Sequence, residues 1–362
     1  MPGKRICFFN TNKAWGGGEK WAHDFSLLAR DNGYAVHAVA HAKGDLAQRL
    51  AQAENIRLHL TDAGNLSFLN PLKILELGHF FRDNRIETVI FALPRDLKSG
   101  GIAARLAGVP NIIYRRGIAL PIRNTALNRF LFGRILTRFL CNSEETRRLA
   151  LQRNPNLIAP ERTSVIYNGF DLDSYDAADA TPLRPAREGV VTIGNAARLT
   201  AQKGQKLLID CAAQLKQRGH SFRMLIAGSG ELEQELKAHA REKNVTDCVE
   251  FLGFVDNMRA FHESVDIFAL TSLWEGFGYV LVEAMAAQKP VVAFAVSSNP
   301  EVVSDGSTGL LAKVGEVQDM TDKLEALIAS PELRRKMGKA GRESVVRRFT
   351  LDKAFAALEP LL

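Results

Sequence analysis

The sequence predicts an α/β protein made of two doubly wound, Rossmann-like parallel-sheet domains. Three observations carry that prediction. Short β-branched runs alternate with longer helical patterns along the whole chain, which puts strands side by side in parallel with helices on both faces. A chain of 362 residues exceeds one ordinary core and suits two domains of about 150 to 200 residues each. Between the two halves lies DAADATPLRPAREG, residues 176–189, poor in bulky apolar side chains and holding Pro182 and Pro185; it reads as the linker.

Taken in order, the strands of the first half are RICFFN, AVHAVA, TVIFAL, NIIYRR, RFLCN and TSVIYN, and those of the second are VVTIGNA, FRMLIAG, CVEFLG, VDIFALT and PVVAF. The predicted domains are residues 1–182 and 183–345, followed by a last helix, 346–362. Two such sheets leave a cleft, and open α/β sheets bind ligands at the carboxyl ends of their strands. Composition is that of a globular protein, 46% hydrophobic and 24% charged. No apolar run approaches the roughly 18 residues that span a bilayer, and MPGKRICFFN has too short an apolar stretch for a secretory signal, so a cytoplasmic location is expected. The cysteines Cys7, Cys141, Cys211 and Cys248 form no CxxC pair and read as buried small hydrophobes rather than a disulfide framework or a zinc site. A net charge of +7 favours an anionic partner without choosing between nucleic acid, phosphorylated substrate and membrane surface.

The segment LTSLWEGFGYVLVEAMAAQKPVVAF, residues 270–294, concentrates the chemistry. Glu275 and the amides of Gly276, Phe277 and Gly278 follow the strand VDIFAL, where a helix starting near Gly278 aims its free N–H groups and dipole at an anion. Glu283, one to two turns on, can accept hydrogen bonds from paired hydroxyls, and Glu275 can do so for a second polyhydroxylated group. A diphosphate with a sugar at each end matches that arrangement. Arg198 and Lys203, in GNAARLTAQKGQKLLIDCA, open the helix after VVTIGNA and form a phosphate clamp. In IAGSGELEQEL, Gly228 and Gly230 serve either a tight strand-to-helix turn or a ligand contact; the Lys-Ser/Thr of a P-loop is missing. In NTNKAWGGGEKWAHDFSLLA, Gly16, Gly17 and Gly18 permit close backbone approach, Glu19 opens a helix, and His23 reads as a packed or surface histidine.

These motifs, with NPEVVSDGSTGLLA, FLGFV and VIYNGFDLDSYD, resemble the group 4 glycosyltransferases of the glycosyl transferase group 1 family, retaining enzymes of the GT-B fold, over nearly the whole chain. The family's glutamate, seven residues and second glutamate appear here as Glu275 to Glu283. The resemblance implies that Glu283 holds the ribose hydroxyls and Glu275 a hydroxyl of the transferred sugar. It gives Arg198 and Lys203 the leaving diphosphate, the turn Gly253 to Val255 the base, and the loop with Gly17 and Gly18 the donor phosphate, and it implies that the last helix, 346–362, returns to the first domain. It implies a nucleotide-diphosphate sugar as donor, a UDP-sugar first, with no cofactor, no metal and no nucleic-acid partner. The expected acceptor is a saccharide or lipid-linked molecule, in cell-envelope polysaccharide or lipopolysaccharide core synthesis. An epimerase of the same fold and an inactive nucleotide-sugar-binding subunit are the alternatives.

One departure stands out. After PNIIY the family places a histidine, where this chain has Arg115 and Arg116. A guanidinium is no general base at neutral pH, so internal return, with a departing phosphate oxygen taking the acceptor proton, is the expected mechanism. Glu19, Arg95, Arg115 and Arg116 are the acceptor-side candidates, joined by Lys98 of RDLKSGG. The DLD at Asp171 to Asp173 imitates a metal-binding DxD, yet the family uses that stretch without metal. Finally, residues 115–138 interleave arginines with Leu127, Phe130, Leu131, Phe132, Ile135 and Leu136; this is either a helix docking on an anionic membrane surface, on the inner face of the cytoplasmic membrane, or a core helix with a basic rim.

Overall fold

The computed structural model describes residues 4–362. They form two compact units, one running to Gly169 and taking back Ala354–Leu362, the other spanning Phe170–Lys353.

The first unit is a seven-stranded sheet of β1 (Arg5–Asn10), β2 (Ala35–Ala40), β3 (Ile56–Leu60), β4 (Thr88–Phe91), β5 (Asn111–Arg116), β6 (Arg138–Cys141) and β7 (Thr163–Val165), in the order β3-β2-β1-β4-β5-β6-β7. Every pairing is parallel. The strand order reverses between β1 and β4, which opens a crevice at their carboxyl ends. The central strands are apolar on both faces, as a doubly covered parallel sheet requires, and their core gathers Phe9, Phe81, Phe91, Phe132 and Phe139. Cys7 and Cys141 lie inside it with thiols pushed up by burial, Cys141 to about 12.

The second unit repeats the plan with six strands, β8 (Val191–Ala196), β9 (Phe222–Ala227), β10 (Val249–Gly253), β11 (Ile267–Leu270), β12 (Val291–Phe294) and β13 (Gly309–Ala312), in the order β10-β9-β8-β11-β12-β13. Its reversal falls between β8 and β11. Cys211 is buried in this unit's own core, which includes Ile226, Phe294 and Leu324, while Cys248 packs against the core half-buried.

The boundaries differ from those expected. Residues 170–182 join the second unit because Phe170 N donates to Phe349 O at 2.7 Å and Leu351 N to Phe170 O at 3.0 Å, and because Tyr175 Oη meets His262 Nδ1 at 2.8 Å. The stretch read as a linker packs on the same unit: Arg184 Nε donates to Glu250 Oε1 at 2.8 Å and Arg342 Nη1 to Asp176 Oδ1 at 2.9 Å. At the other end, the long helix Pro331–Arg348 belongs to the second unit and only Ala354–Leu362 returns. There Phe355 packs on Phe25 and Tyr34, and Thr88 Oγ1 donates to Leu362 O at 3.0 Å.

Candidate active site

In the second unit the loops after β8, β11 and β12 converge at the reversal of strand order. The loop after β8 makes a turn at Ala201–Lys203 and enters the helix Gln205–Gln217 through Gly204. Gly204 has φ 62°, and a Cβ there would stand 2.3 Å from Thr271 O, so only glycine admits this approach of the two loops. They are then laced together: Leu273 N donates to Gln202 O at 2.8 Å, Gln202 Nε2 to Trp274 O at 2.9 Å and Thr271 Oγ1 to Lys203 O at 3.2 Å. This frame carries Lys203 and Glu275, which meet at 2.6 Å with side chains only 14% and 8% exposed. The loop after β12 completes it, as Glu275 N donates to the hydroxyl of Ser297 at 3.2 Å, from a Ser297 held at φ 49°. A non-glycine residue there stores about 1–3 kcal/mol of backbone strain.

Gly278 caps the helix Tyr279–Ala286 at φ 76°, so the helix begins where the sequence placed it, directly after the loop of Gly276 and Phe277. The Phe277 side chain itself is buried, edge-on to Tyr279 and Phe349. Glu283 is half-buried on this helix. The phenol of Tyr175 is pushed up chiefly by burial, with the nearby Glu283 charge adding to it. Arg198 is exposed and, among the described residues, pairs with no carboxylate. Gly253 ends β10 at φ 68°, Val255 is half-buried, and Phe254 between them is 76% exposed.

The alternatives left for the glycines of IAGSGELEQEL resolve toward backbone packing. A Cβ on Gly228, at φ 131°, would lie 1.9 Å from Ala197 O, and one on Gly230 would lie 2.3 Å from Leu199 O. These glycines let the loop after β9 press on the segment that presents Arg198. Asp171 of DLD caps the helix Leu172–Ala177, its carboxylate taking bonds from Ser174 N at 3.0 Å and Ser174 Oγ at 2.7 Å.

In the first unit the acceptor-side candidates disperse. Gly17 and Gly18 open the helix Gly17–Asp31, and Glu19 is buried and accepts from Asn10 Nδ2 at 3.0 Å, which anchors the end of β1. Arg115 and Arg116 alternate along β5 and point to opposite faces. Arg115 is buried over the Trp21 ring at 4.7 Å, with Nη2 donating to Asn168 Oδ1 at 2.5 Å, so it braces the core. Arg116 turns the other way, where Nη1 donates to Tyr114 Oη at 3.2 Å and Nη2 to Leu120 O at 2.5 Å. Arg95 Nη2 donates to Thr11 O at 2.7 Å. Beside it sits a residue that sequence reasoning passed over: Asp96, fully buried, accepts from Thr11 N at 2.9 Å and from the Thr11 hydroxyl. Burial pushes its carboxyl up to about 7 despite those bonds. Nothing in PRDLK distinguishes it from a solvated loop aspartate. His23 is half-buried beside Asp24, Nδ1 to Oδ1 at 3.0 Å.

Residues 115–138 do not form one amphipathic helix. A short helix, Ala126–Phe130, runs into a wide turn, Leu131–Ile135; Arg123 precedes the helix and Arg138 opens β6. Leu131, Phe132, Ile135 and Leu136 are buried in the core, as in the core-helix reading, while Ile118, Leu120 and Phe130 are exposed.

Family comparisons bear on this geometry directly. The model for "Glycosyl transferases group 1" matches residues 184–344, which contain the Arg198, Lys203, Glu275 and Glu283 constellation, and that for "Glycosyltransferase Family 4" matches residues 15–174. The chain belongs to this glycosyltransferase family. It is 27% identical over 357 residues, 92% of this chain and 90% of the relative, to the GDP-mannose-dependent alpha-(1-6)-phosphatidylinositol monomannoside mannosyltransferase of Mycobacterium tuberculosis. In three other curated relatives the match spans 40%, 60% and 66% of the relative's length. Among solved structures, Anabaena HepE in complex with UDP superposes with a TM-score of 0.83 at 23% identity, covering 98% of each chain. The lipopolysaccharide outer core galactosyltransferase WaaB gives 0.78 at 18% identity, covering 99% of this chain and 98% of that one. Both likenesses establish the fold, two Rossmann-like sheets of the GT-B type. No helix among the described residues is long and apolar enough to cross a membrane.

Proposed function

We propose that this chain transfers a sugar from a nucleotide-diphosphate sugar, a UDP-sugar first among the candidates, to a saccharide or lipid-linked acceptor in cell-envelope polysaccharide or lipopolysaccharide synthesis, with retention of anomeric configuration and without a metal. The observation that carries the proposal is the Lys203–Glu275 pair at 2.6 Å, set between Arg198 and the helix start at Gly278 where strand order reverses. A cation and a carboxylate held together there suit a ligand whose diphosphate needs positive charge and whose sugar needs a hydroxyl acceptor. Glu275 keeps Lys203 in place before the donor arrives, and Lys203 offsets the repulsion between Glu275 and the phosphates.

Glu283 then takes the ribose hydroxyls, and the Gly253–Val255 turn the base. As the bond between the anomeric carbon and the phosphate oxygen breaks, charge grows on the diphosphate opposite Arg198, Lys203 and the helix N–H groups, which stabilise it. The acceptor hydroxyl bonds to the same face of the anomeric carbon and its proton passes to the departing phosphate oxygen. Arg115 and Arg116 supply no base for that step. The name of WaaB and the phosphatidylinositol-linked substrate in the name of the mycobacterial relative support an envelope role; the cytoplasmic side of a membrane is the place we propose for it. Exposed Ile118, Leu120 and Phe130 near Arg123, Arg129 and Arg134 support shallow attachment to an anionic leaflet.

The test is incubation with a panel of nucleotide sugars in EDTA, without and then with membrane-derived acceptors, followed by NMR. Slow hydrolysis without acceptor and transfer with retained configuration are expected. Interconversion of the sugar would assign an epimerase, inversion or a requirement for divalent ion would reject the mechanism, and absence of binding would reject the donor site.

A further inference from the structure

The first unit holds a cavity of about 540 Å³ at the carboxyl ends of β4 and β5, within the range of small-molecule sites. Lys98, Arg116 and Arg123 are among the lining residues, with Thr125 and Asn128, and no carboxylate is. Leu97, Tyr114, Ile122, Leu131 and Phe132 line it too, all of them buried members of the unit's core.

The cations are unbalanced in a way their neighbours explain. Arg116 spends its two terminal nitrogens on Tyr114 Oη and Leu120 O, which fixes the guanidinium, and its Nε is buried with no hydrogen-bond partner. A buried donor left unmet costs about 1–3 kcal/mol. Lys98 stands 5.8 Å from the Phe68 ring, and among the described residues neither Lys98 nor Arg123 forms an ion pair. Asp96, the carboxylate nearest to Lys98 in the chain, is committed to Thr11. Two cations without an ion pair, Lys98 and Arg123, with a third, Arg116, held in place, in the lining of a recess with no anion of its own, call for an anionic ligand. Beside the cations, Thr125 and Asn128 are the polar groups of the lining, and the many apolar side chains around them suit a hydrocarbon stem.

We propose that this cavity binds a phosphate ester with an alkyl body, the phosphate against Lys98, Arg116 and Arg123 and the alkyl part on the wall of Leu97, Ile122 and Phe132. The proposal rests on the glycosyltransferase reading and deepens it: the acceptor is selected by a phosphate joined to an apolar group rather than by sugar hydroxyls alone. It also gives Arg116, on the strand where the family has a histidine just beyond, a positioning role toward the acceptor.

The experiment is calorimetric titration of the full chain with n-octyl phosphate below its aggregation concentration, beside inorganic phosphate, n-octyl β-glucoside and glucose 6-phosphate. Saturable one-to-one binding of octyl phosphate is expected, at least tenfold tighter than each of the other three. Lys98→Gln and Arg123→Gln should each weaken it about tenfold, while UDP binding and the circular dichroism and thermal unfolding of the whole chain, which includes the first unit, should stay as in the wild type. Equal binding of octyl glucoside would overturn the anionic half of the proposal, and equal binding of inorganic phosphate the apolar half. Tighter binding of glucose 6-phosphate would assign the cavity to phosphorylated sugars instead. Octyl phosphate binding unmoved by both substitutions would place it elsewhere. If UDP and UDP-glucose fail to bind while octyl phosphate binds as expected, the glycosyltransferase reading falls and the cavity assignment stands.

Discussion

At the scale of single residues, the two cations of the donor clamp differ in what they hold, and that separates their predicted phenotypes. Arg198→Ala and Lys203→Ala each remove charge that opposes the growing charge of the diphosphate, and each should cost about 3 kcal/mol of transition-state stabilisation, about a hundredfold in kcat. Lys203→Ala also strands the buried Glu275 carboxylate, and breaking a buried pair costs about 3–5 kcal/mol. Denaturant unfolding should therefore show the second unit weakened by Lys203→Ala and unchanged by Arg198→Ala, since Arg198 is exposed. Wild-type turnover in either variant would contradict the clamp. The placement of Arg198, Lys203, Glu275 and Glu283 relative to strand, turn and helix start was legible in the sequence, because those elements are local. The acceptor side was not. Glu19 and Arg115 look like any exposed charge in sequence, and only the packing of Asn10 on one and of Trp21 and Asn168 on the other shows them to be internal braces. Asp96 was hidden for the same reason: its burial depends on a bond to Thr11, 85 residues away.

At the scale of elements, the helix bearing Glu283 is held by its neighbour rather than by its own length. Tyr279–Ala286 has eight residues, short of what folds alone in water, and the long helix Pro331–Arg348 seats against its end. A Cβ on Gly338 would lie 1.9 Å from Gln288 O, just past that end. Gly338→Ala must push the two helices apart, and overpacking of this kind costs about 1–3 kcal/mol. Thermal unfolding should show that loss together with weaker nucleotide binding, because Glu283 moves with its helix; unchanged stability would mean that the contact yields at no cost. The central strands were readable from their β-branched runs, but two edge strands were not. Ile56–Leu60, sequence IRLHL, is half-exposed and mixes Arg and His with its apolar residues, and Gly309–Ala312, GLLA, has no β-branched residue. Edge strands are covered on fewer sides, so their sequences carry a weaker hydrophobic signal. The 115–138 segment was legible only in part: Leu131, Phe132, Ile135 and Leu136 enter the core as the core alternative expects, but from a wide turn before a strand, which helical periodicity cannot express.

At the scale of the molecule, the net charge of +7 and the exposed Ile118, Leu120 and Phe130 bear on where the protein works. Basic residues near an anionic leaflet contribute about 1 kcal/mol each, enough with a few shallow apolar insertions for reversible attachment. Flotation with anionic liposomes should recover the protein at about 50 mM salt and lose it toward about 500 mM by screening, and Arg123→Gln with Arg129→Gln and Arg134→Gln should reduce recovery. Equal recovery on neutral liposomes, or none on anionic ones at low salt, would remove the membrane from the account.

In the proposed donor site, the loops and helix starts of the second unit hold a nucleotide sugar, and two glutamates divide it between them. Calorimetric titration of UDP and UDP-glucose into Glu283→Ala and Glu275→Ala tests this most directly. Glu283→Ala should weaken UDP itself by about 1.5–3 kcal/mol, the worth of charge-assisted bonds to a ribose, whereas Glu275→Ala should leave UDP unchanged and abolish the added affinity for UDP-glucose. The reverse pattern, or UDP binding indifferent to both substitutions, would contradict the site.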